Sequence, residues 1–263
     1  MLVSIIIPAY KQENTIKRDI ENIRKVMSQT RWSFEIIVVV DGFEDKTYEQ
    51  VKELEGLDIR VFGYEQNRGK GYAVRYGMAQ AVGEIISFID SGMDIDASGI
   101  SMLLEHMVWY DADVIVGSKR HPVSQVNYPS WRKIYSWGYH TLVRLCLGVK
   151  VKDTQTGLKI FKREVLEKVL PRLLVKRFAF DVEILAVSKY LGFSRIYEAP
   201  VKVDLDLVRS NFDKLLFLNP NIRRMLLDTL AIFYRMRVLR YYADDNAHLW
   251  ELEEELLPRV LGV

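Results

Sequence analysis

Hydrophobic positions in the first part of the chain follow two periods, one typical of strands and one typical of helices. Apolar residues recur at helical spacing at Ile16, Ile20, Ile23 and Met27. Five short runs are instead almost wholly apolar and rich in β-branched residues: VSIIIP (3–8), EIIVVV (35–40), IRVFGY (59–64), EIISFI (84–89) and DVIVGS (113–118). Such runs are typical of strands buried on both faces of a sheet. The pattern therefore predicts an α/β fold with an open, doubly wound, mostly parallel sheet and helices on both faces.

The remainder of the chain is less regular. The pattern predicts, in order, a helix over 132–147, a turn over 153–161, a helix over 180–190 and a strand over 195–203. Two further helices are predicted, an arginine-rich apolar one over 222–242 and an acidic amphipathic one over 249–257. We therefore divide the chain into a main domain, 1–210, and a helical extension, 211–263. The arginine-rich helix either lies at a membrane surface or packs on the core or on a second subunit of a homodimer.

Composition limits the classes of function. The chain has 263 residues with 37 Lys+Arg against 35 Asp+Glu, and a net charge of +2 is too small for a protein that binds nucleic acid through bulk charge. A single cysteine, Cys146, fits a reducing compartment. The first residues lack the features of a signal peptide, and no apolar run is long enough to span a membrane. We expect a cytoplasmic protein that does not bind nucleic acid.

Ligands of an open parallel sheet bind at the carboxyl ends of its strands. The segment after the first strand, Pro8 to Glu13, has no GxGxxG fingerprint, which disfavours a nicotinamide or flavin enzyme. The chain also lacks the GxxxxGK[ST] motif of P-loop NTPases and the GxSxG motif of α/β hydrolases. The candidate chemistry therefore has to come from other residues at these strand ends.

The polar residues after the second and third strands can each be explained in two ways. Asp41 follows the second strand, where a carboxylate either caps the next helix or accepts hydrogen bonds from a base or ribose. The segment NRGKG (67–71) follows the third strand and opens a helix. Glycines and cations at a helix start bind phosphate through free N–H groups, or they form an ordinary glycine turn with solvated Arg68 and Lys70.

The fourth strand ends in an acidic segment. Asp90, Asp94 and Asp96 lie within seven residues, DSGMDID, and would repel one another without a cation. Oxygen ligands suit Mg²⁺ or Mn²⁺, which commonly bridge to phosphate oxygens. Asp96 has a simpler explanation as the cap of the helix that begins near Ser98. Asp90 is held by an apolar strand, so the segment predicts a metal-diphosphate site.

The order and spacing of these motifs resemble family-two glycosyltransferases. The segments that carry the resemblance are IIIPAYKQEN, IIVVVDGFEDKT, NRGKGYAVRYGMAQAVGEIISFID and DSGMD, and later GSKRHP, DTQTGLKIF and FAFDVEIL. The later segments are similar to polyprenyl-phosphate glycosyltransferases, first those that glucosylate dolichyl phosphate and next those that mannosylate it. The resemblance covers residues 3–205 and implies the GT-A fold, which binds nucleotide-diphosphate sugars.

The resemblance also implies roles for individual residues. Asp90 and Asp94 would hold Mg²⁺ or Mn²⁺, because the second Asp of the family's Asp-x-Asp motif is replaced by Gly92. The residues implied for the nucleotide sugar are Pro8, Tyr10, Glu13, Asp41, Lys70, Asp90 and Arg209. The residues implied for an acceptor phosphate are Lys119, Arg120, Arg132 and Ser136.

The implied reaction is an in-line displacement that inverts the anomeric carbon of UDP-glucose or, less favoured, GDP-mannose. Asp90, Lys119 and Arg132 are the predicted catalytic residues, and a polyprenyl or dolichyl phosphate acceptor would need no base because it is already anionic. Such an acceptor implies a peripheral position on the cytoplasmic face of a membrane. A glycan hydroxyl acceptor would need a base, for which Asp181 is the candidate; its other explanation is a helix-start carboxylate. A third alternative is a nucleotide-sugar-binding protein with little turnover.

Overall fold

A computed structural model describes residues 1–92, 95–124, 130–203, 220–251 and 253–258, and within these the side chains of 130–136 and 220–221 are left aside. The strands are β1 (Leu2–Ala9), β2 (Ser33–Asp41), β3 (Ile59–Tyr64), β4 (Ile85–Ile89), β5 (Val114–Ser118), β6 (Leu158–Lys162) and β7 (Ile196–Pro200). The helices are α1 (Ile16–Ser28), α2 (Thr47–Lys52), α3 (Lys70–Gln80), α4 (Ser98–Trp109), α5 (Ser130–Leu147), α6 (Arg163–Val169), α7 (Phe180–Tyr190) and α8 (Pro220–Arg237).

These strands form one sheet in the order β3-β2-β1-β4-β6-β5-β7. β6 runs antiparallel to its neighbours β4 and β5, whereas the other pairs are parallel. The predicted mostly parallel α/β sheet is confirmed, and each of the five apolar runs forms a strand. The turn predicted over 153–161 is wrong in its second half, because Leu158 begins β6.

Both faces of the sheet are buried. Along β1, Ile6 packs into one hydrophobic cluster while Ile5 and Ile7 pack into the other. The first cluster includes residues of α3 and α7, and the second includes residues of α1 and α4. Burying one such side chain stabilises the fold by about 1.5–3 kcal/mol. This two-sided burial is the physical reason that the strands are continuously apolar.

The C-terminal elements differ from the prediction. The arginine-rich helix ends at Arg237, before the predicted end at 242, and Arg240 adopts a left-handed φ of 49° that a continuing helix does not allow. The helix predicted over 249–257 is wrong: the described part of that range holds the end of one 3₁₀ turn, Asp244–Leu249, and a second 3₁₀ turn, Glu254–Leu256. Glu253 and Glu255 instead pair with Lys176 and Arg68, and these tertiary contacts override helix propensity. Among the described helices, none combines the length and apolarity needed to cross a bilayer.

Candidate active site

The loops that follow β1, β2 and β4 meet at one edge of the sheet. β1 lies between β2 and β4 and is parallel to both, so the three carboxyl ends are adjacent. The Gln12 N–H donates to the Thr47 hydroxyl at 2.8 Å, and the Ser91 hydroxyl donates to the Pro8 carbonyl at 2.9 Å. The predicted residues Pro8, Asp41 and Asp90 are thereby brought to one edge.

The loop after β1 is fastened to the loop after β2 by side chains predicted to bind the nucleotide sugar. The Tyr10 hydroxyl donates to a Glu44 carboxylate oxygen at 3.0 Å, and Glu13 accepts the Lys46 N–H at 3.1 Å. Tyr10 is nevertheless 39% exposed, with the Lys11 ammonium 5.2 Å from the centroid of its ring. These contacts give the two loops a common, polar surface.

Asp41 organises the loop that follows β3. Its carboxylate accepts the N–H groups of Arg68 at 2.7 Å and Gly69 at 3.0 Å, together with the side-chain amide of Asn67 at 3.0 Å. The side chain is buried and its oxygens are occupied by donors of the chain itself. Gly69 has a φ of 100°, which favours glycine because it has no Cβ. Asp41 therefore fixes the turn that delivers Lys70 to the start of α3.

Asp90 lies in a turn that is anchored on three sides. Its N–H donates to the Gly157 carbonyl at 2.8 Å, next to β6. On the other side the Gly92 N–H donates to Asp19 of α1 at 2.9 Å, and Gly92 has a φ of 103°. Together with the Ser91 contact to β1, these bonds hold the Asp90 carboxylate at the end of β4. The predicted cap is also present, since Asp96 accepts the Ser98 N–H at 2.9 Å.

Lys70 joins Asp90 to Asp181, which is the second residue of α7. The Lys70 Nζ lies 2.9 Å from the Asp90 carboxylate and 3.0 Å from Asp181 Oδ2. Asp181 Oδ1 lies 2.5 Å from the Nζ of Lys159, a fully buried residue of β6 that also donates to the Thr156 carbonyl at 2.6 Å. We call Asp90, Lys70, Asp181 and Lys159 the charge chain.

The pKa shifts in the charge chain follow from burial and pairing. Burial acts to raise the pKa of Asp181, but the ammonium groups of Lys159 and Lys70 outweigh it and lower this pKa below its usual value. Burial opposes the charge of Lys70, yet Asp181 and Asp90 raise its pKa. For Lys159 burial prevails over Asp181, and the pKa is lowered. Asp181 is therefore an ionised, buried carboxylate with two cationic partners, which disfavours a role as general base.

The surroundings of Asp90 fit a divalent cation. Its Oδ1 atom is buried, and the partner that the described residues give it is the Lys70 ammonium at 2.9 Å. A carboxylate at a strand end that already attracts a positive charge is a suitable hard ligand for Mg²⁺ or Mn²⁺. No group of three candidate ligands occurs within the described ranges, and the predicted second ligand, Asp94, lies outside them.

The acceptor residues are described only in part. Lys119 and Arg120 follow β5, whose direction matches that of β4, so they lie at the same edge of the sheet as Asp90. The Lys119 N–H donates to Asp153 at 3.0 Å. Arg132 and Ser136 lie on α5, but their side chains fall outside the described part, as does the whole of Arg209. The roles predicted for these residues stay predictions.

Three residues that support the site were missed by the sequence analysis: Lys159, Gly157 and Asp19. A lysine within the apolar segment LKIF was a possible signal, because a buried ammonium needs a carboxylate partner. Gly157 and Asp19 act through contacts between distant segments, for which the local sequence carries no signal.

The fold and the polar strand ends together define the GT-A class of nucleotide-sugar-dependent glycosyltransferase domains. The family model described as "Glycosyl transferase family 2" matches residues 4–170. The chain belongs to this family.

Similar proteins include two dolichyl-phosphate β-glucosyltransferases. That of Dictyostelium discoideum is 29% identical over 205 residues, and that of Drosophila melanogaster is 31% identical over 205 residues. In both cases the alignment covers 72% of this chain and 63% of the relative, so the chain spans less than two thirds of these proteins.

A solved structure with the same fold is glucosyl-3-phosphoglycerate synthase from Mycobacterium tuberculosis in complex with Mn²⁺, UDP-glucose and phosphoglyceric acid. The TM-score is 0.65 at 20% identity, covering 88% of this chain and 79% of that one. At this identity the likeness shows the fold alone.

Proposed function

We propose that this chain transfers glucose from UDP-glucose to a polyprenyl phosphate such as dolichyl phosphate, with inversion at the anomeric carbon. GDP-mannose is the less favoured donor. The names of the similar proteins support a dolichyl phosphate acceptor and a glucosyl group. The observation that carries the proposal is the pairing of Asp181 with Lys70 and Lys159, because two ammonium partners weaken this carboxylate as the base that a hydroxyl acceptor would require.

The proposed step forms one bond and breaks one bond. An oxygen of the acceptor phosphate attacks the anomeric carbon, and the bond from that carbon to the donor diphosphate breaks, releasing UDP with the bonding electrons. The acceptor oxygen is already anionic, so no proton has to be removed. The chain's task is therefore to align two anionic ligands and to stabilise the charge that develops on the leaving diphosphate.

Positive groups near the diphosphate would come from Lys70 and Arg209. Lys70 stands at the first position of α3, after the turn that Asp41 holds, and its ammonium lies between Asp90 and Asp181. Asp90, with Asp94, would hold Mg²⁺ or Mn²⁺, and such a cation supplies Lewis-acid stabilisation of the leaving diphosphate. We propose that the nucleoside binds beside Pro8, Tyr10 and Glu13. Asp41 would support this part of the site by holding the 67–69 loop.

The acceptor phosphate is proposed to bind near Lys119, Arg120, Arg132 and Ser136. Lys119 and Arg120 leave β5 at the same edge as Asp90, and α5 carries the other two residues. Two or more cations around one phosphate bind it through charge-assisted hydrogen bonds and orient its attacking oxygen. This arrangement suits an acceptor that brings its own negative charge.

A polyprenyl acceptor requires contact with a bilayer, for which we propose a peripheral position on the cytoplasmic face. The helix α8 packs Ile232 and Met236 into the core, while Leu227, Leu230 and Tyr234 are about half exposed or more on its other side. Exposed arginines, among them Arg223 and Arg224, flank this apolar stripe, as in helices that bind anionic headgroups. Homodimer formation through the 211–263 extension is the second proposed use of this helix.

The deciding experiment supplies the full chain with radiolabelled UDP-glucose or GDP-mannose, Mn²⁺, and either a short polyprenyl phosphate or the matched polyprenol. We expect organic-extractable label only with UDP-glucose and polyprenyl phosphate, and a β anomer in the product by NMR. Transfer to the polyprenol would contradict the phosphate acceptor. UDP-glucose binding without transfer to either acceptor would instead support a nucleotide-sugar-binding protein.

A further inference from the structure

Lys70 is shared between two carboxylates, and only one of them faces the proposed cation. Its ammonium lies 2.9 Å from Asp90 and 3.0 Å from Asp181. A divalent cation bound to Asp90 would be repelled by an ammonium group at that distance. Binding of the cation therefore requires either loss of the Lys70 charge or movement of the ammonium away from Asp90.

Asp181 is built as a fixed alternative partner for that ammonium. The carboxylate is almost fully buried, and its other oxygen is held by Lys159, which is itself tied to the Thr156 carbonyl. Asp181 therefore cannot follow Lys70 toward Asp90. The lysine stem has four rotatable bonds and keeps 15% of its side-chain surface exposed, so the ammonium is the partner that moves.

We propose that Asp181 is a positioning residue that withdraws the Lys70 ammonium from Asp90 and thereby opens Asp90 to a divalent cation. Lys159 supports this role by holding Asp181 in place and ionised. The inference rests on the proposed function, because it assumes the cation site at Asp90. In this role Asp181 does not act as a general base. It acts earlier, when the cation binds and before any sugar is transferred.

The proposal predicts that two substitutions change the affinity for Mn²⁺ in opposite directions. Lys70→Met removes the competing ammonium, so Mn²⁺ should bind about tenfold more tightly, a common size for coupling between adjacent sites. Asp181→Asn leaves Lys70 with Asp90 as its remaining carboxylate partner, so Mn²⁺ should bind about tenfold more weakly. A merely structural role of the two residues would weaken Mn²⁺ binding in both variants.

Asp181→Asn also leaves the Lys159 ammonium buried without its carboxylate, which destabilises the fold. The double variant Lys159→Met/Asp181→Asn removes both members of that pair and keeps the effect on Lys70. It should be folded by circular dichroism and should show the same weakening of Mn²⁺ binding as the single variant. The matched control is Lys52→Met, since Lys52 pairs with Glu55 on the surface of the protein.

The test measures free Mn²⁺ by electron paramagnetic resonance during titration of each variant of the 263-residue chain, without nucleotide and with saturating UDP. Opposite shifts for Lys70→Met and the Asp181 variants, with Lys52→Met unchanged, are the expected result. If the wild type binds Mn²⁺ and both kinds of variant bind it more weakly, or neither kind changes its affinity, the inference is overturned. The proposed cation site then remains intact. Failure of the wild type to bind Mn²⁺ even with UDP would overturn the cation site and the inference together.

Discussion

Gly157 lies against the carboxylate of Asp90, and a side chain at position 157 would collide with that carboxylate. A Cβ atom added at Gly157 would lie 2.0 Å from Asp90 Oδ2 and 2.3 Å from its Cγ. The Gly157 carbonyl also accepts the Asp90 N–H at 2.8 Å. The residue before β6 thus sets both the backbone and the side-chain position of the proposed metal ligand.

Gly157→Ala should therefore displace the Asp90 carboxylate while leaving the sheet assembled. We expect transfer of glucose to fall by about 100-fold or more, since a displacement of about 1 Å at a reacting centre can have that effect. Crowding of a packed site should lower the free energy of unfolding by about 1–3 kcal/mol. Initial rates of radiolabel transfer and urea unfolding measure the two effects.

Gly56→Ala is the matched control for this substitution. The nearest atom to a Cβ at Gly56 is 4.0 Å away, so the added methyl group has room. Its rate and stability should stay near those of the wild type. Normal activity of Gly157→Ala would show that the Asp90 carboxylate is either free to shift or not required.

The strands β1, β2, β4 and β5 and the position of Asp90 were predictable because these strands are buried on both faces and are therefore almost continuous apolar runs. The strand β6 was not predicted, because its segment contains Lys159. A charged residue disfavours a buried strand unless a partner for the charge is known. That partner, Asp181, lies on a helix far along the chain, and no local pattern links the two. The same non-local pairing explains why the sequence alone left two interpretations of Asp181 open.

The role of Asp41 was likewise open from the sequence. A carboxylate after a buried strand is compatible with helix capping and with ligand binding, and the structure shows a third arrangement, in which it binds the backbone of the 67–69 loop.

Stability should depend on pH through Asp19, which holds the Gly92 N–H. Burial raises the pKa of Asp19 above its ordinary value of 3.8, despite the hydrogen bond from Gly92. Between 3.8 and the raised pKa, the folded chain keeps a proton that the unfolded chain has released. The free energy of unfolding therefore decreases as pH rises through this window, and Asp19→Asn, which does not titrate, should gain stability relative to the wild type.

Urea unfolding of both proteins at pH 4.5 and pH 7.5, with EDTA present, measures this difference. The advantage of Asp19→Asn should be larger at pH 7.5. Glu21→Gln, on the exposed side of the same helix, is the control and should follow the wild type at both pH values. An advantage of Asp19→Asn that is equal at both pH values would contradict a raised pKa.

The apolar stripe on α8 should determine binding to lipid. Leu227, Leu230 and Tyr234 are 58%, 49% and 52% exposed, and they recur at spacings of three and four along one side of the helix. Thr229 on the opposite side accepts or donates a hydrogen bond with Tyr139 of α5 at 2.9 Å, so that side is already occupied. We therefore expect the stripe to enter a headgroup interface while the helix stays packed on the core.

Leu227→Gln/Leu230→Gln should lower partitioning onto anionic vesicles by about tenfold or more, because each buried CH₂ group contributes about 0.8 kcal/mol. Cosedimentation with vesicles of phosphatidylserine and phosphatidylcholine measures the partitioning. Met102→Gln/Trp109→Gln is the matched control, since both residues are exposed on α4, at 45% and 85%, and lie outside the stripe. Because flanking arginines contribute through charge, added salt should weaken wild-type binding. Equal losses in the two double variants would show that general surface hydrophobicity, and not the α8 stripe, drives the association.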